Sequence, residues 1–218
     1  MSQIVYDRLI EGTIDTLLMI GISSVISLLL GLPLAVLLAT TTRGGVFESP
    51  WFNAGLGSIV NVVRSIPFLI LMVALIPFTR ALVGTSYGVL GAVVPLSVAT
   101  IPFFARIAEV SLREVDRGLV EAAEAMGCSR WHIVWHVLLP EARPGIVAGF
   151  TIAVVAMINA SAVAGAIGAG GLGDLAYRYG YQRFDTQVMV TVIVLLVALV
   201  MLIQLFGDRL ALFLNKRK

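Results

Sequence analysis

One polar stretch constrains this chain more than any other feature, because it interrupts a sequence that is otherwise apolar enough for a membrane. Residues 105–143 hold eleven charged side chains, and each costs about 2.5–3.5 kcal/mol at the centre of a bilayer. Burying all eleven there would cost on the order of 30 kcal/mol. We call residues 105–143 the polar segment and expect it to lie outside the membrane.

The composition indicates an all-α, polytopic helical membrane protein. Hydrophobic residues make up 59% of the sequence and charged residues 13%, against about 25% charged in soluble domains. Several apolar runs approach or exceed the ~20 residues that cross a bilayer as a helix, and they lack the alternation of barrel strands. The single cysteine, Cys128, excludes an intramolecular disulfide, and a net charge of +2 does not suggest a nucleic-acid partner.

We predict a single transmembrane domain over residues 1–218 with about five spans. The residues before the first apolar run are mainly acidic, unlike the positive start of a signal peptide, so we expect that run to be retained. Gly31 and Pro33 predict a bend in the first span, while Arg64 and Pro67 interrupt the second. The spans are expected at residues 14–40, 57–78, 87–104, 144–167 and 188–206.

The arginines and lysines predict the orientation. With the C-terminus on the side of the polar segment, that side carries Arg43, Arg106, Arg113, Arg117, Arg130, Arg143, Arg209, Lys216, Arg217 and Lys218. The other side carries Arg8, Arg80, Arg178 and Arg183, with Arg64 left uncounted. Because positive charge is enriched in cytoplasmic loops, we predict a cytoplasmic polar segment and C-terminus, and an N-terminus outside.

The polar segment itself predicts two short helices. Residues 115–126 favour a helix that ends at Gly127, which can adopt the left-handed cap conformation. Ser129 is a plausible N-cap for a second helix that Pro140 would close. Upstream, Arg106, Glu109 and Arg113 have helical spacing, so the third span is expected to continue as a helix into the cytoplasm.

The first of these helices has the composition of a docking element. Ala122 and Ala123 have almost no side-chain bulk, which would let a partner surface approach the backbone, and Glu121 and Glu124 lie one turn apart beside them. The alternative is a solvated hairpin with a few helical ion pairs. The residues alone leave both interpretations open.

The pattern Glu121-Ala122-Ala123, Gly127 and Val137-x-Leu139-Pro140 resembles the EAA loop of permease subunits in binding-protein-dependent ABC importers. The one departure is Val137, where isoleucine is usual. The resemblance implies that this loop is the coupling helix, seated in a cleft of a separate ATPase subunit. It also implies a bacterial plasma (inner) membrane protein.

Other segments resemble the permeases of methionine importers in particular. They are residues 64–68 (RSIPF), 76–80 (IPFTR), 83–86 (VGTS), 168–173 (GAGGLG) and 177–181 (YRYGY). This likeness implies a homodimer, two ATPase subunits and an extracytoplasmic solute-binding protein for methionine. An importer of another amino acid, an osmoprotectant or a related small solute is the alternative.

The chain carries no phosphate-binding loop of the type Gly-x4-Gly-Lys-[Ser/Thr]. We therefore expect it not to be an enzyme and to need no cofactor of its own, with ATP and Mg²⁺ bound by the partner ATPase. A secondary transporter would be expected to bury ionisable residues at membrane depth, and the span centres contain none apart from Arg64. We expect Arg64 to reach the cytoplasmic end of the second span, the alternative being a deeper position with an acidic partner. Five spans are few for enclosing a pathway, which favours a dimer.

Three further features of the sequence allow more than one interpretation. Residues 168–173 satisfy Gly-x-Gly-x-x-Gly, but they follow a span, which favours a re-entrant turn or close helix packing over a dinucleotide site. His132 and His136 are spaced for a shared metal, yet only Glu141 is near, so we expect no metal site. Polar or polarisable residues in the fourth span are candidates for pathway lining, with interhelical hydrogen bonding as the alternative; they are Met157, Asn159 and Ser161.

Overall fold

The computed structural model describes residues 3–215 and contains only helices, turns and irregular segments in that range. Lys216, Arg217 and Lys218, which contributed to the orientation count, lie outside the described residues. The α-helices are α1 (Gln3–Thr40), α2 (Pro50–Ser65), α3 (Phe68–Ala74), α4 (Ile76–Val83), α5 (Gly88–Arg113), α6 (Arg117–Ala125), α7 (Arg130–Ile133), α8 (Leu139–Ala164), α9 (Gly171–Leu175) and α10 (Thr186–Leu214). Three short π-helical stretches, Val134–Leu138, Gly165–Ala169 and Ala176–Tyr181, follow α7, α8 and α9.

The long helices form a bundle in which α1, α5 and α10 run in one direction and α8 runs in the other. One buried cluster joins the ends of α1 and α5 to the polar segment, through Ala35, Phe104 and Ile133 among others. A second cluster packs the earlier halves of α1 and α5 against the later half of α8. The described chain therefore begins at one end of the bundle and finishes at the end that carries the polar segment.

Four helices are long and apolar enough to cross a membrane, or five if α2 and α3 count as one broken span. The all-α, polytopic membrane architecture is therefore confirmed. The first span begins earlier than the predicted 14–40, because α1 starts at Gln3, and it continues as one helix through Gly31 and Pro33. The last span is likewise longer than 188–206, and the Asp185 carboxylate caps its start by accepting from the backbone N–H of Gln187 and Val188, both at 3.1 Å.

The second span, predicted at residues 57–78, is interrupted as Arg64 and Pro67 suggest, and this stretch contains parts of α2 and α4 and all of α3. The chain turns by 100° between α2 and α3, at Ile66 and Pro67. Ile66 is extended, with φ −83° and ψ 123°, because a following proline disfavours the helical conformation of the residue before it. Among these helices, α2 and α3 together are long and apolar enough to form the second crossing.

The third span extends past residue 104 to Arg113, as the spacing of its charges predicts. Glu109 is only 2% exposed, and its carboxylate accepts from Arg106 at 2.6 Å and from Arg113 at 3.5 Å. Arg106 also donates to the Asn61 side chain on α2 at 3.2 Å. A buried charge held by two arginines fixes α2 against the polar end of α5.

Pro140 does not close the second helix of the polar segment. The chain is helical from Arg130 through Pro140 to Ala164, so this helix and the fourth span, predicted at 144–167, are one element. Proline lacks the N–H that would bond one turn back, and the backbone passes this point through the π-helical stretch Val134–Leu138. The extra residue in that turn lets the helix continue into the membrane.

The glycine-rich residues 168–173 pack closely against α1 and α8, and no strand precedes them in residues 3–215. Gly171 has φ +78°, and a Cβ there would lie 2.6 Å from the Thr16 hydroxyl. That hydroxyl accepts from the backbone N–H of Leu172 at 2.9 Å. Close helix packing, rather than a dinucleotide site, accounts for these glycines.

Candidate functional site

The helix predicted to dock is α6, and its first turn is capped by the residue before it. The Asp116 carboxylate accepts from the backbone N–H of Gly118 at 2.8 Å. Val115, just upstream, is buried in the cluster at the polar end of the bundle. The helix is therefore anchored where it leaves α5.

The other end of α6 is closed by Gly127, as predicted. Gly127 has φ +76°, and the backbone N–H of Cys128 returns to the Ala123 carbonyl at 3.1 Å. This is the Schellman arrangement, in which a left-handed residue allows the chain to satisfy the last carbonyls of a helix. Cys128 is half-buried against the same cluster.

The two alanines of the docking pattern have different environments. Glu121, Ala122 and Glu124 are exposed, whereas Ala123 is 3% exposed and packs into the buried cluster with Ile133 and Leu138. The prediction that both alanines face a partner is therefore wrong for Ala123. Its small side chain lets α6 approach the rest of the chain, and Ala122 is the alanine available to a partner.

The helix after the turn presents aromatic side chains. Ser129 caps it as predicted, its hydroxyl accepting from the backbone N–H of His132 at 3.3 Å. Trp131 and Trp135 are exposed, and the Trp131 ring lies 5.1 Å from that of Phe47 in the α1–α2 loop. Exposed tryptophans are typical of surfaces that bind other proteins.

His132 and His136 stack with ring centroids 4.1 Å apart. Among the residues that the structure describes, no group of three or more histidines, cysteines or carboxylates is placed to hold a metal ion. The end of the loop pattern, Leu139 and Pro140, is half-buried at the start of α8. Leu139 packs against the same cluster as Ala123.

A groove of about 240 Å³ lies beside α6 and was not predicted from the sequence. The α1–α2 loop contributes Arg43 to it, and α6 contributes Arg117, Glu121 and Glu124. The loop is held by backbone hydrogen bonds, including Phe47 N–H to the Thr40 carbonyl at 2.9 Å. From the sequence, Arg43 and Arg117 served only to predict the orientation. Their shared groove could not be predicted, because no local pattern brings a loop after α1 next to a helix after α5.

The structure separates the three candidates for pathway lining. Met157 and Ser161 are 1% and 2% exposed inside the chain, and the Ser161 hydroxyl donates to the Ile158 carbonyl at 2.7 Å. Asn159 is exposed on α8. Burial therefore argues against Met157 and Ser161 as lining residues and leaves Asn159 as the candidate.

Arg64 lies on α2, just before the 100° turn. Its side chain is exposed, and its Cζ lies 5.8 Å from the centre of the Phe103 ring. No carboxylate in residues 5–215 is within ion-pair distance of it. The deeper placement with an acidic partner is thus not seen.

Comparisons with known proteins agree with one another. Residues 31–218 match the family described as "Binding-protein-dependent transport system inner membrane component". The chain is 48% identical over 204 residues to the "Probable D-methionine transport system permease protein MetI" of Vibrio cholerae, covering 94% of this chain and 91% of the relative. It is 42% identical over 181 residues to the "Methionine import system permease protein MetP" of Bacillus subtilis, covering 83% and 82%.

The fold is also similar to solved structures. An inward-facing structure of the MetNI methionine ABC transporter superposes with a TM-score of 0.97 at 46% identity, covering 99% of this chain and all of that one. An amino acid ABC transporter solved with histidines has a TM-score of 0.72 at 21% identity, covering 98% and 95%. At that identity the second likeness shows the fold alone.

Proposed function

Since the chain belongs to the family of inner membrane components of binding-protein-dependent transport systems, we propose that it imports methionine as a pair of permease chains driven by separate ATPase subunits. The observation that carries the coupling role is α6, a capped helix with Glu121, Ala122 and Glu124 exposed at one end of the bundle. The relatives named for methionine transport support the choice of solute.

The packing of α6 supports its role in coupling. Ala123 is buried in one cluster with Phe104 of α5 and Ile146 of α8. Because a packed cluster moves as a unit, displacement of α6 by a moving ATPase would be passed to both spans. We propose alternating access: closure of the ATPase pair shifts α6 and opens the pathway outward, and hydrolysis in the ATPase resets it inward.

The pathway is proposed to lie between two copies of this chain. Asn159 lies sixteen residues beyond Arg143, the last charge of the polar segment, or about 24 Å along the helix. An exposed amide at that depth would be costly against lipid, so a wet pathway or a second copy is the better neighbour. An extracytoplasmic binding protein would deliver the solute to the opposite end of the bundle.

The solute is tested by uptake in a host that lacks methionine transport, with this chain, its ATPase and its binding protein expressed together. We expect saturable methionine uptake that disappears when the ATPase is inactivated. Uptake that competes with another amino acid or a betaine, but not with methionine, would assign the alternative solute. Uptake that persists without ATPase activity would indicate a secondary transporter.

The proposed orientation is tested with single cysteines. In a Cys128→Ser background, Met126→Cys on the exposed turn after α6 should react with a membrane-impermeant maleimide only after the cell is opened. Tyr87→Cys at the other end should react in intact cells. The reverse pattern would overturn the assignment of the polar segment to the cytoplasm.

A further inference from the structure

A small, partly open pocket lies at the end of the bundle opposite α6, between α3, α4, the start of α5 and the π-helical stretch after α8. Its volume is about 150 Å³. Its walls are mostly apolar, and Met72, Ile76, Tyr87 and Ile167 form much of them. Pockets that bind small molecules combine such walls with a few placed polar groups.

The pocket lining includes the hydroxyl residues Thr79 and Ser86, and Ser86 is hydrogen-bonded to an arginine just outside the lining. Ser86 lines the pocket, and its hydroxyl accepts from Nε of Arg80 at 3.1 Å. Arg80 is exposed, and no carboxylate within the described part of the chain lies at ion-pair distance from it. The guanidinium thus stands at the edge of the pocket with most of its donors unused, and its planar fork matches a carboxylate.

The loop that carries Ser86 is built tightly. Gly84 and Gly88 at its two ends both have positive φ, +80° and +72°, and the Thr85 hydroxyl accepts from the backbone N–H of Tyr87 at 3.1 Å. A Cβ on Gly91 would lie 2.5 Å from the Ser86 carbonyl carbon, so only glycine lets α5 pack against this loop. The pocket wall is therefore held in place before any solute arrives.

We propose that this pocket is the entry site of the permease, where an apolar side chain of the solute is buried and Arg80 binds its α-carboxylate. The proposal rests on the proposed function, because it takes the solute to be an amino acid delivered at this end of the bundle. No carboxylate lines the pocket, so the ammonium group of the solute forms no ion pair there.

The test is equilibrium binding of radiolabelled methionine to the purified complex of the permease and its ATPase, without binding protein. We expect Arg80→Gln to weaken binding about ten- to hundredfold, because a hydrogen bond to a charged group is lost. Arg80→Lys should restore part of the affinity by restoring the charge. Ile76→Phe, which fills the pocket, should also weaken binding.

Arg183→Gln is the matched control. Arg183 lies in the α9–α10 connection, with its guanidinium 4.7 Å from the centre of the Tyr179 ring, and it does not line the pocket. The Arg183→Gln variant should bind methionine as the wild type does. In competition with the wild type, N-acetylmethionine should displace the label and methioninamide, which lacks the carboxylate, should not.

Three results would overturn the pocket assignment: no saturable binding by the wild type up to about 10 mM, unchanged binding in Arg80→Gln, or equal weakening in Arg183→Gln. Methionine uptake by the wild type in vesicles separates this failure from that of the proposed function. If the vesicles import methionine and any of these results is found, the pocket assignment alone fails. If they import a different solute, the proposed solute is wrong, and the binding series repeated with that solute decides on the pocket.

Discussion

Gly127 offers the sharpest test of the docking helix. A glycine can be required because its backbone is left-handed or because a side chain would clash, and the structure distinguishes the two here. Its φ is +76°, and a Cβ there would meet nothing within 4 Å in this chain. A substitution is therefore opposed by backbone strain and not by a clash inside the permease. For an L-residue this strain is about 1–2 kcal/mol, and it is greater for a β-branched one.

A strain of 1–2 kcal/mol lowers the population of the closed turn by about five- to thirtyfold relative to an open one. In reconstituted vesicles, solute and binding protein stimulate the ATPase. We expect Gly127→Val to reduce this stimulation by about five- to thirtyfold. Asparagine tolerates the left-handed conformation, so Gly127→Asn should keep most of the stimulation. Basal ATPase activity and the amount of inserted permease serve as controls.

The two variants together test whether backbone strain at Gly127 causes the loss of stimulation. If valine and asparagine lose stimulation equally, strain is not the cause, and Gly127→Ala then tests whether the ATPase itself approaches too closely for any side chain. If valine retains normal stimulation and uptake, the closed turn is not needed for coupling. That result would refute the assignment of α6 as the coupling helix.

Three further predictions follow from packing and charge. Ala123→Leu should destabilise the permease by about 1–3 kcal/mol through overpacking, seen as a lower melting temperature in detergent. Ala122→Leu should leave stability unchanged and impair the stimulation of the ATPase by solute and binding protein. Gly149→Leu should lower the melting temperature, because a Cβ there would lie 2.5 Å from an α5 side chain, and Gly21→Leu, with open space around it, should not. Arg106→Met should cost about 3 kcal/mol by leaving a buried carboxylate with its weaker partner only, and retained thermal stability would contradict this.

Predictions that depend on neighbouring residues in sequence were confirmed. Ser129 caps a helix and Gly127 ends one, because a side-chain oxygen and a left-handed backbone act on groups only a few residues away. The continuation of α5 through Arg106, Glu109 and Arg113 was likewise readable, since the pairs lie one turn apart. The geometry of these interactions is set by residues within about one helical turn of each other.

The predictions that failed concern residues whose effect is decided by what packs on them. Pro140 is a helix-breaking signal, yet the helix passes it through a π-helical stretch that places Ile133, Val134 and Leu138 in a buried cluster. Ala123 and Ala122 are the same residue type in sequence, and only the packing of α6 makes one buried and the other exposed. The 100° turn at Pro67 also needed the tertiary structure, because proline ends a helix without setting the direction of the next.

The sequence by itself determined that this chain is a helical membrane protein with one polar segment outside the bilayer, because the cost of burying charge in hydrocarbon is large and independent of fold. It also carried the pattern that identifies the docking helix, since that pattern is contiguous. The tertiary structure alone decided which alanine is exposed, that Arg43 and Arg117 share a groove, and that Arg80 stands beside an apolar pocket. These depend on contacts between residues far apart in the chain, and no spacing within a single segment encodes them.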